Sequence, residues 1–332
     1  MGNHMKWKEE YELGEKLFDN RKYKEALDLF QNIYESFIKN DNDEEHSLIL
    51  LNKIASCYKV LGNYKEELKW NNECYQINKR VLGEEHPDTL TCLSNLAINY
   101  GYLGYHSKEL EYNKKCYELR KKRLGEDHVD TLESLSNLAF SYGMVKNYKK
   151  QLECNEKCYE LRKKVLGEEH PDTLTSLNNV AYSYGNIGNY RKQLEYNEKC
   201  YELRKKVLGE EHPDVLTSLG NLARTYCNLD DYEKAIELYE QCYELSKKVL
   251  GEEHPDTIVT LSDLAYTYGN IGNYDKEIEC HEKCYELEKK VLGEEDLDTL
   301  TTLECLASCY EKVGNYEKAD EYYEKYYDIM KN

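Results

Sequence analysis

Apolar residues along this chain recur at spacings of three and four, most plainly between Pro171 and Asp214. Leu174, Leu177, Val180, Ala181, Tyr184 and Ile187 fall on one stripe of a helix, here helix A. Pro171 suits its first turn, Asp172 the positive end of its dipole, and Gly188 supplies the left-handed residue that ends it. A second stripe, Tyr190, Leu194, Cys200, Tyr201, Val207 and Leu208, predicts helix B. Asn189 is placed to cap it; Arg204, Lys205 and Lys206 complement the dipole in its last turns, and Gly209 stops it. Glu210, Glu211, His212 and Pro213 then turn the chain into the next copy. Connections this short force the two helices antiparallel, so the unit is a helical hairpin.

The unit returns every 42 residues: TLTSLNNVAYSYGNIGNYRKQLEYNEKCYELRKKVLGEEHPD from Thr173 follows TLESLSNLAFSYGMVKNYKKQLECNEKCYELRKKVLGEEHPD from Thr131. A fixed period of this length is the signature of a solenoid, in which each unit contacts only its neighbours. The tyrosine opening helix B marks the register at Tyr23, Tyr64, Tyr148, Tyr190, Tyr232, Tyr274 and Tyr316, with His106 in that place once. The expected fold is therefore all-α, a single solenoid over residues 5–332 with about sixteen helices in eight hairpins. The repeats run approximately 7–46, 47–88, 89–130, 131–172, 173–214, 215–256, 257–298 and 299–332. The first, with its irregular charged linker Asn40 to Glu45, and the last, with the tail YYEKYYDIMKN, are expected to act as caps. Met1 to His4 read as a cloning remnant and are left out of the fold.

Charge narrows the partners. A net charge of −19, from 45 basic and 64 acidic residues, would repel a phosphate backbone and argues against nucleic acid. It favours a self-repelling monomer. The absence of an 18-residue apolar run or a charged-then-apolar leader argues against membrane insertion and secretion, so the expected location is cytoplasmic. Of thirteen cysteines, Cys74, Cys116, Cys158, Cys200, Cys242 and Cys284 recur in register. Stacked helices put such positions about 10 Å apart, beyond the ~7 Å limit of a disulfide. They read as small residues between close helices, and free thiols in this number fit a reducing compartment.

Catalytic chemistry finds little support. His86, His128, His170, His212 and His254 each follow two acidic residues but lie in separate junctions, so capping or packing is the expected role and no metal or cofactor is expected. His281 in HEKC and His106 in HSKE lack the His-x-x-x-His spacing of a paired ligand. No nucleophile with its base is visible. The many Glu–Lys pairs of helix B read as solvated neighbours one turn apart, and LGEEHPD reads as the hinge between units.

The two helices differ sharply in charge. No formally charged residue occurs from Thr173 to Tyr190 or from Thr89 to Ser107, whereas helix B is crowded with charge. Within helix A, Asn95, Asn137, Asn179 and Asn221 occupy one position, one turn before the helix tyrosine, and Asp263 continues the row. Asparagine is unfavourable mid-helix. Either its amides hydrogen-bond the backbone of a bound segment, or they join neighbouring repeats or simply record duplication. Three residues on, Ile98, Phe140, Tyr182, Arg224 and Tyr266 vary while their surroundings do not, as pockets reading different side chains would. Gly101, Gly143, Gly185 and Gly269 admit either a ligand or a neighbouring helix. Asn186, Asn228 and Asn270 complete the candidate face.

The pattern Leu219, Leu222–Ala223, Tyr226, Tyr232, Ala235 and Cys242 resembles the tetratricopeptide repeat, and the 42-residue form with its LGEEHPDTL junction looks like the kinesin light chain branch of that family. The resemblance covers residues 7 to 330. It implies a right-handed superhelix with helix A on the concave face and helix B on the convex one. It also implies asparagines that bind a protein segment in the groove. The chain departs from the pattern where Glu67, Gln151 and Gln193 replace the small residue early in helix B, where Val129 replaces the junction proline, and where Asp296–Leu297 replaces His-Pro. The expected function is a non-enzymatic scaffold for an extended or helical peptide. With Arg224 the sole cation in the central rows, that peptide is expected to be neutral and to contain aromatic residues. The alternatives are a regulator that changes superhelical pitch on binding a peptide, and a designed or excised array with no ligand of its own.

Overall fold

The computed structural model describes residues 2–38 and 44–331, so residues 40–43 of the irregular first linker lie outside the description. The described residues hold sixteen α-helices and no strand. They divide into two compact units, Met1–Val165 and Leu166–Asn332. The first holds the hairpins α1 (Gly2–Asp19) with α2 (Tyr23–Ile33), α3 (Glu44–Val60) with α4 (Tyr64–Val81), α5 (Pro87–Tyr102) with α6 (His106–Leu124), and α7 (Val129–Met144) with α8 (Tyr148–Leu166), whose last residue crosses into the second unit. The second holds α9 (Pro171–Asn186) with α10 (Tyr190–Leu208), α11 (Pro213–Asn228) with α12 (Tyr232–Val249), α13 (Pro255–Asn270) with α14 (Tyr274–Val291), and α15 (Leu297–Lys312) with α16 (Tyr316–Met330). A π-helical turn, Tyr34–Ile38, extends α2.

Local chemistry sets the ends of these helices. The Asn189 side chain accepts the Lys192 N–H at 3.2 Å, and Asn63, Asn147, Asn273 and Asn315 cap their B helices in the same way. The junction histidines cap the A helices. Nδ1 of His86, His128, His170, His212 and His254 accepts the N–H of the aspartate two residues on, at 3.1–3.3 Å. Asp296 does the same where the histidine is missing, accepting from Asp298 N at 3.0 Å.

Packing follows the periodicity in helix A but departs from it in helix B. Leu174, Leu177, Val180 and Ala181 are fully buried, each large side chain contributing about 1.5–3 kcal/mol. Ile187 is not; it lies beyond the helix end and is 45% exposed. On α10 Val207 is also exposed, and the buried face is Gln193, Asn197, Cys200, Tyr201 and Arg204. Two of these polar side chains, Asn197 and Arg204, hold their places by reaching a partner across a helix junction, whereas the buried Gln193 Oε1 has none. Asn197 Nδ2 donates to Thr225 Oγ1 at 2.9 Å, and Arg204 Nη1 donates to the Asp214 carbonyl at 3.1 Å and to Ser218 Oγ at 2.9 Å. The register cysteines sit against their own A helix: Cys116, Cys158, Cys200, Cys242 and Cys284 direct Sγ at the carbonyls of Leu90, Leu132, Leu174, Leu216 and Ile258. All thirteen thiols are free.

The junction glutamates tie consecutive hairpins together. Glu84 receives Lys79 at 3.1 Å from helix B of its own hairpin, α4, and Lys115 at 2.7 Å from helix B of the next, α6; Glu252 receives Lys247 of α12 and Lys283 of α14 at 3.2 and 2.6 Å. Glu126 receives Lys121 and Lys157 likewise. These lysines hold the carboxyls of Glu126 and Glu252 down at about 2. The charges of helix B thus reach across the junction rather than pairing mainly one turn apart, and LGEEHPD is a strut more than a hinge. Each pair is exposed and screened by solvent, so each adds little to stability.

One buried charge lacks such help. Glu288 on α14 occupies the place of Arg204; it is 6% exposed, its Oε2 has no partner, and burial raises its carboxyl pKa. Above the unfolded value near 4.5 the folded chain therefore binds more protons than the unfolded one, so this group lowers stability as pH rises. Glu288→Gln is expected to stabilise the fold by about 1 kcal/mol at pH 7. Urea unfolding at pH 7 and pH 4 checks this, the gain vanishing at the lower pH.

Candidate functional site

Helices α5 and α7 of the first unit bring four of the sequence-chosen residues together. Ile98, Gly101, Asn137 and Phe140 line a cavity of about 360 Å³ with Tyr102 and Met144. Its rim is apolar and open to solvent, Phe140 being 59% and Tyr102 56% exposed. Tyr64 stacks on Tyr102 with ring centroids 4.5 Å apart, which stiffens that wall. The floor is polar and internally satisfied. Asn113 Nδ2 donates to Ser141 Oγ at 2.8 Å, and His106 Nδ1 lies 2.9 Å from Glu109 Oε2. Asn137 stands half-buried between rim and floor, and among the described residues its side chain makes no hydrogen bond. Asn95 is half-buried on α5 at the same register.

The second unit uses the same positions differently. Asn221, Arg224 and Asp263 border a cleft of about 180 Å³. Asn221 Nδ2 donates to Asn178 Oδ1 at 3.0 Å, joining α11 to α9, and its Oδ1 accepts from Arg224 Nη2 at 2.7 Å. Burial raises the Asp263 carboxyl, opposed by the Arg224 charge and by a hydrogen bond with Tyr239. Asn179 is half-buried on α9, and Tyr182 and Tyr266 are 57% and 67% exposed. Asn186, Asn228 and Asn270 are the last residues of α9, α11 and α13 and line neither cavity.

The helix A glycines face a neighbouring helix. A Cβ on Gly101, Gly143, Gly185 or Gly269 would lie 2.5–3.0 Å from the side chain of Glu109, Gln151, Gln193 or Glu277 on helix B of the same hairpin. This accounts for Glu109, Gln151, Gln193 and Glu277 early in helix B, where glycine opposite makes room; Glu67 has Lys59 in that register place instead. Where Cys227 replaces the glycine, the partner is Ala235.

One further cluster escaped the sequence reading. Glu277 and His281 on α14 meet Cys309 on α15, and the three ligating atoms lie within 4.8 Å of one another. His281 has no second histidine one turn away, and the residue in that place, Glu277, is a carboxylate. No helix among the described residues is long and apolar enough to cross a membrane.

A tetratricopeptide repeat model matches residues 46–122, 130–206, 187–248, 214–290 and 271–332. The curated proteins hold no match to this chain. Among solved structures, the chain is similar to the nearly identical TPR-like repeats of a Podosopora anserina protein described as a kinesin light chain, with 27% identity over 60% of this chain and 95% of that one and a TM-score of 0.56. It shares the fold of the quorum sensor NprR from B. thuringiensis in its apo form, with 16% identity, 97% and 86% coverage and a TM-score of 0.65. It also shares the fold of a Rap protein complexed with Competence and Sporulation Factor, with 14% identity, 98% coverage of both chains and a TM-score of 0.53.

Proposed function

The chain belongs to the tetratricopeptide repeat family, and from that membership we propose that it is a non-enzymatic scaffold holding a peptide segment against its A helices. The observation that carries the proposal is the open apolar cavity around Phe140, with the uncommitted amide of Asn137 beside it. An aromatic or aliphatic side chain of the ligand fills the cavity, and the amide, donor and acceptor at once, holds the ligand backbone next to it. The ligand is neutral, because the one cation of the central rows, Arg224, is already engaged by Asn221 and balanced by Asp263. The Rap complex is a precedent for ligand capture on this fold.

The test starts from peptides selected against the full chain from a displayed library, with affinities measured by fluorescence anisotropy. Phe140→Ala is expected to weaken binding about 30-fold, as loss of a buried aromatic contact worth about 2 kcal/mol would. Asn137→Ala with Asn179→Ala is expected to weaken it about tenfold, and Tyr316→Ala, at an exposed residue on α16, to leave it unchanged. Unchanged affinity in Phe140→Ala, with the far-ultraviolet circular dichroism of the parent, would sink the assignment.

A further inference from the structure

Glu277, His281 and Cys309 sit at a node that the other hairpins build from different residues. In the first unit the matching positions are Glu109, Asn113 and Ser141, and the node closes with the hydrogen bond from Asn113 to Ser141. In the second unit Asn197 and Thr225 close another in the same way. Between α14 and α15 the amide has become an imidazole and the hydroxyl a thiol. The exchange leaves the node open: His281 Nδ1 and Glu277 Oε2 are buried with no hydrogen-bond partner, although both residues are 5% exposed. Orphaned buried polar atoms are costly. The nodes at Glu67–Asn99 and at Gln193 keep orphans too, but among the described residues only here are they an imidazole nitrogen and a carboxylate oxygen beside a thiol, a set that suits a metal ion.

We propose that Glu277, His281 and Cys309 form a binding site for a divalent cation of the zinc class. Residues 277 and 281 lie one turn apart on one face of α14, and α15 brings Cys309 opposite, with the three ligating atoms within 4.8 Å of one another. Imidazole nitrogen with thiolate sulfur selects zinc, cobalt or cadmium over magnesium or calcium. Carboxylate and thiolate together neutralise the two positive charges. Gly269 leaves room for the carboxylate, since a Cβ there would lie 2.6 Å from Glu277 Oε1. Lys312 Nζ holds that same oxygen at 3.2 Å and leaves Oε2 for the ion. Burial lowers the pKa of His281 and so favours the neutral ring, the form with a lone pair to give. The Cys309 thiol is pushed up to about 12 by burial and by Glu277, so it enters the site protonated. Binding forms the metal–sulfur bond, breaks the S–H bond and releases that proton to solvent. Three protein ligands leave a fourth position, which faces a cavity of about 420 Å³ lined by Ser262, Tyr266 and Cys305. The bound ion ties the last two hairpins of the second unit together.

The experiment titrates the reduced, metal-stripped full chain with Co²⁺ and then displaces it with Zn²⁺. The expected result is one Co²⁺ per chain, with a thiolate-to-cobalt charge-transfer band in the near ultraviolet, and a rise in melting temperature on adding Zn²⁺. His281→Asn combined with Cys309→Ser recreates the Asn113–Ser141 pair that this chain already folds around. That variant is expected to lose the band, the thermal shift and at least 100-fold in affinity. Glu277→Gln, with the residue found at Gln151 and Gln193, is expected to lose at least tenfold, and Cys92→Ser to change nothing. Absence of the band in the parent chain, or its survival in the folded double variant, overturns the proposal.

Discussion

Arg204→Ala is expected to destabilise the second unit by about 2–3 kcal/mol, more than any exposed charge in the chain. The guanidinium of Arg204 leaves α10 at its last turn, is 7% exposed, and donates to the Asp214 carbonyl and Ser218 Oγ at the start of α11. Truncation removes the donor and leaves Ser218 Oγ and the Asp214 carbonyl with their mutual 3.0 Å bond and the long contact of Cys200 Sγ to Ser218 Oγ at 3.9 Å. It also removes the apolar stem that fills the space between the helices. Lys206, two residues on, is exposed and among the described residues pairs with Glu169, so Lys206→Ala is expected to leave the unfolding midpoint nearly unchanged. Urea unfolding followed by circular dichroism separates the two. Equal midpoints would mean that Arg204 acts only as a helix-end cation.

Gly143→Ala is expected to cost about 2 kcal/mol net, although alanine is the better helix former by about 1 kcal/mol. The new Cβ would stand 2.5 Å from Gln151 Nε2 and 2.9 Å from its Cδ, in a place where Gln151 is 5% exposed. Overpacking of this kind costs about 1–3 kcal/mol, with the loss of the buried amide's contacts in addition. Combining Gly143→Ala with Gln151→Ala is expected to return most of the loss, because a side-chain-bearing residue opposite alanine is how the chain builds Cys227 against Ala235. The coupling in this double-mutant cycle is the quantity to measure. A Gly143→Ala chain as stable as the parent would return the glycine to the role of admitting a ligand.

These two residues show where sequence reasoning stopped. Arg204 sits in a run with Lys205 and Lys206, and composition alone makes all three dipole-complementing cations; only the position of α11 makes one of them a buried bridge. The glutamates of LGEEHPD were likewise visible, but their lysines come from helices on both sides of the junction, at separations no local rule anticipates. At the candidate site the balance is different. Ile98, Gly101, Asn137 and Phe140 were legible because a repeat array aligns itself, so that each position becomes a column and a variable column stands out. The same columns did not reveal that Asn221 spends its amide on Asn178 while Asn137 makes no such bond, since that depends on which side chains face each other.

What the chain's order of residues determined by itself was everything governed within about four positions. That includes helix spans set by a 3.6-residue period, caps from Asn189 and His212, stops from Gly188 and Gly209, and the hairpin they enforce. What tertiary structure alone decided was the company of polar groups on helix B. Asn197, Arg204, Gln193 and Glu277 interrupt the apolar stripe and would read as solvated, yet they are buried. A buried polar group without a partner is costly, and for Asn197, Arg204 and His281 the residue that faces it lies on the next hairpin, 14 to 28 positions away. Distances of that kind exist only once the helices have packed.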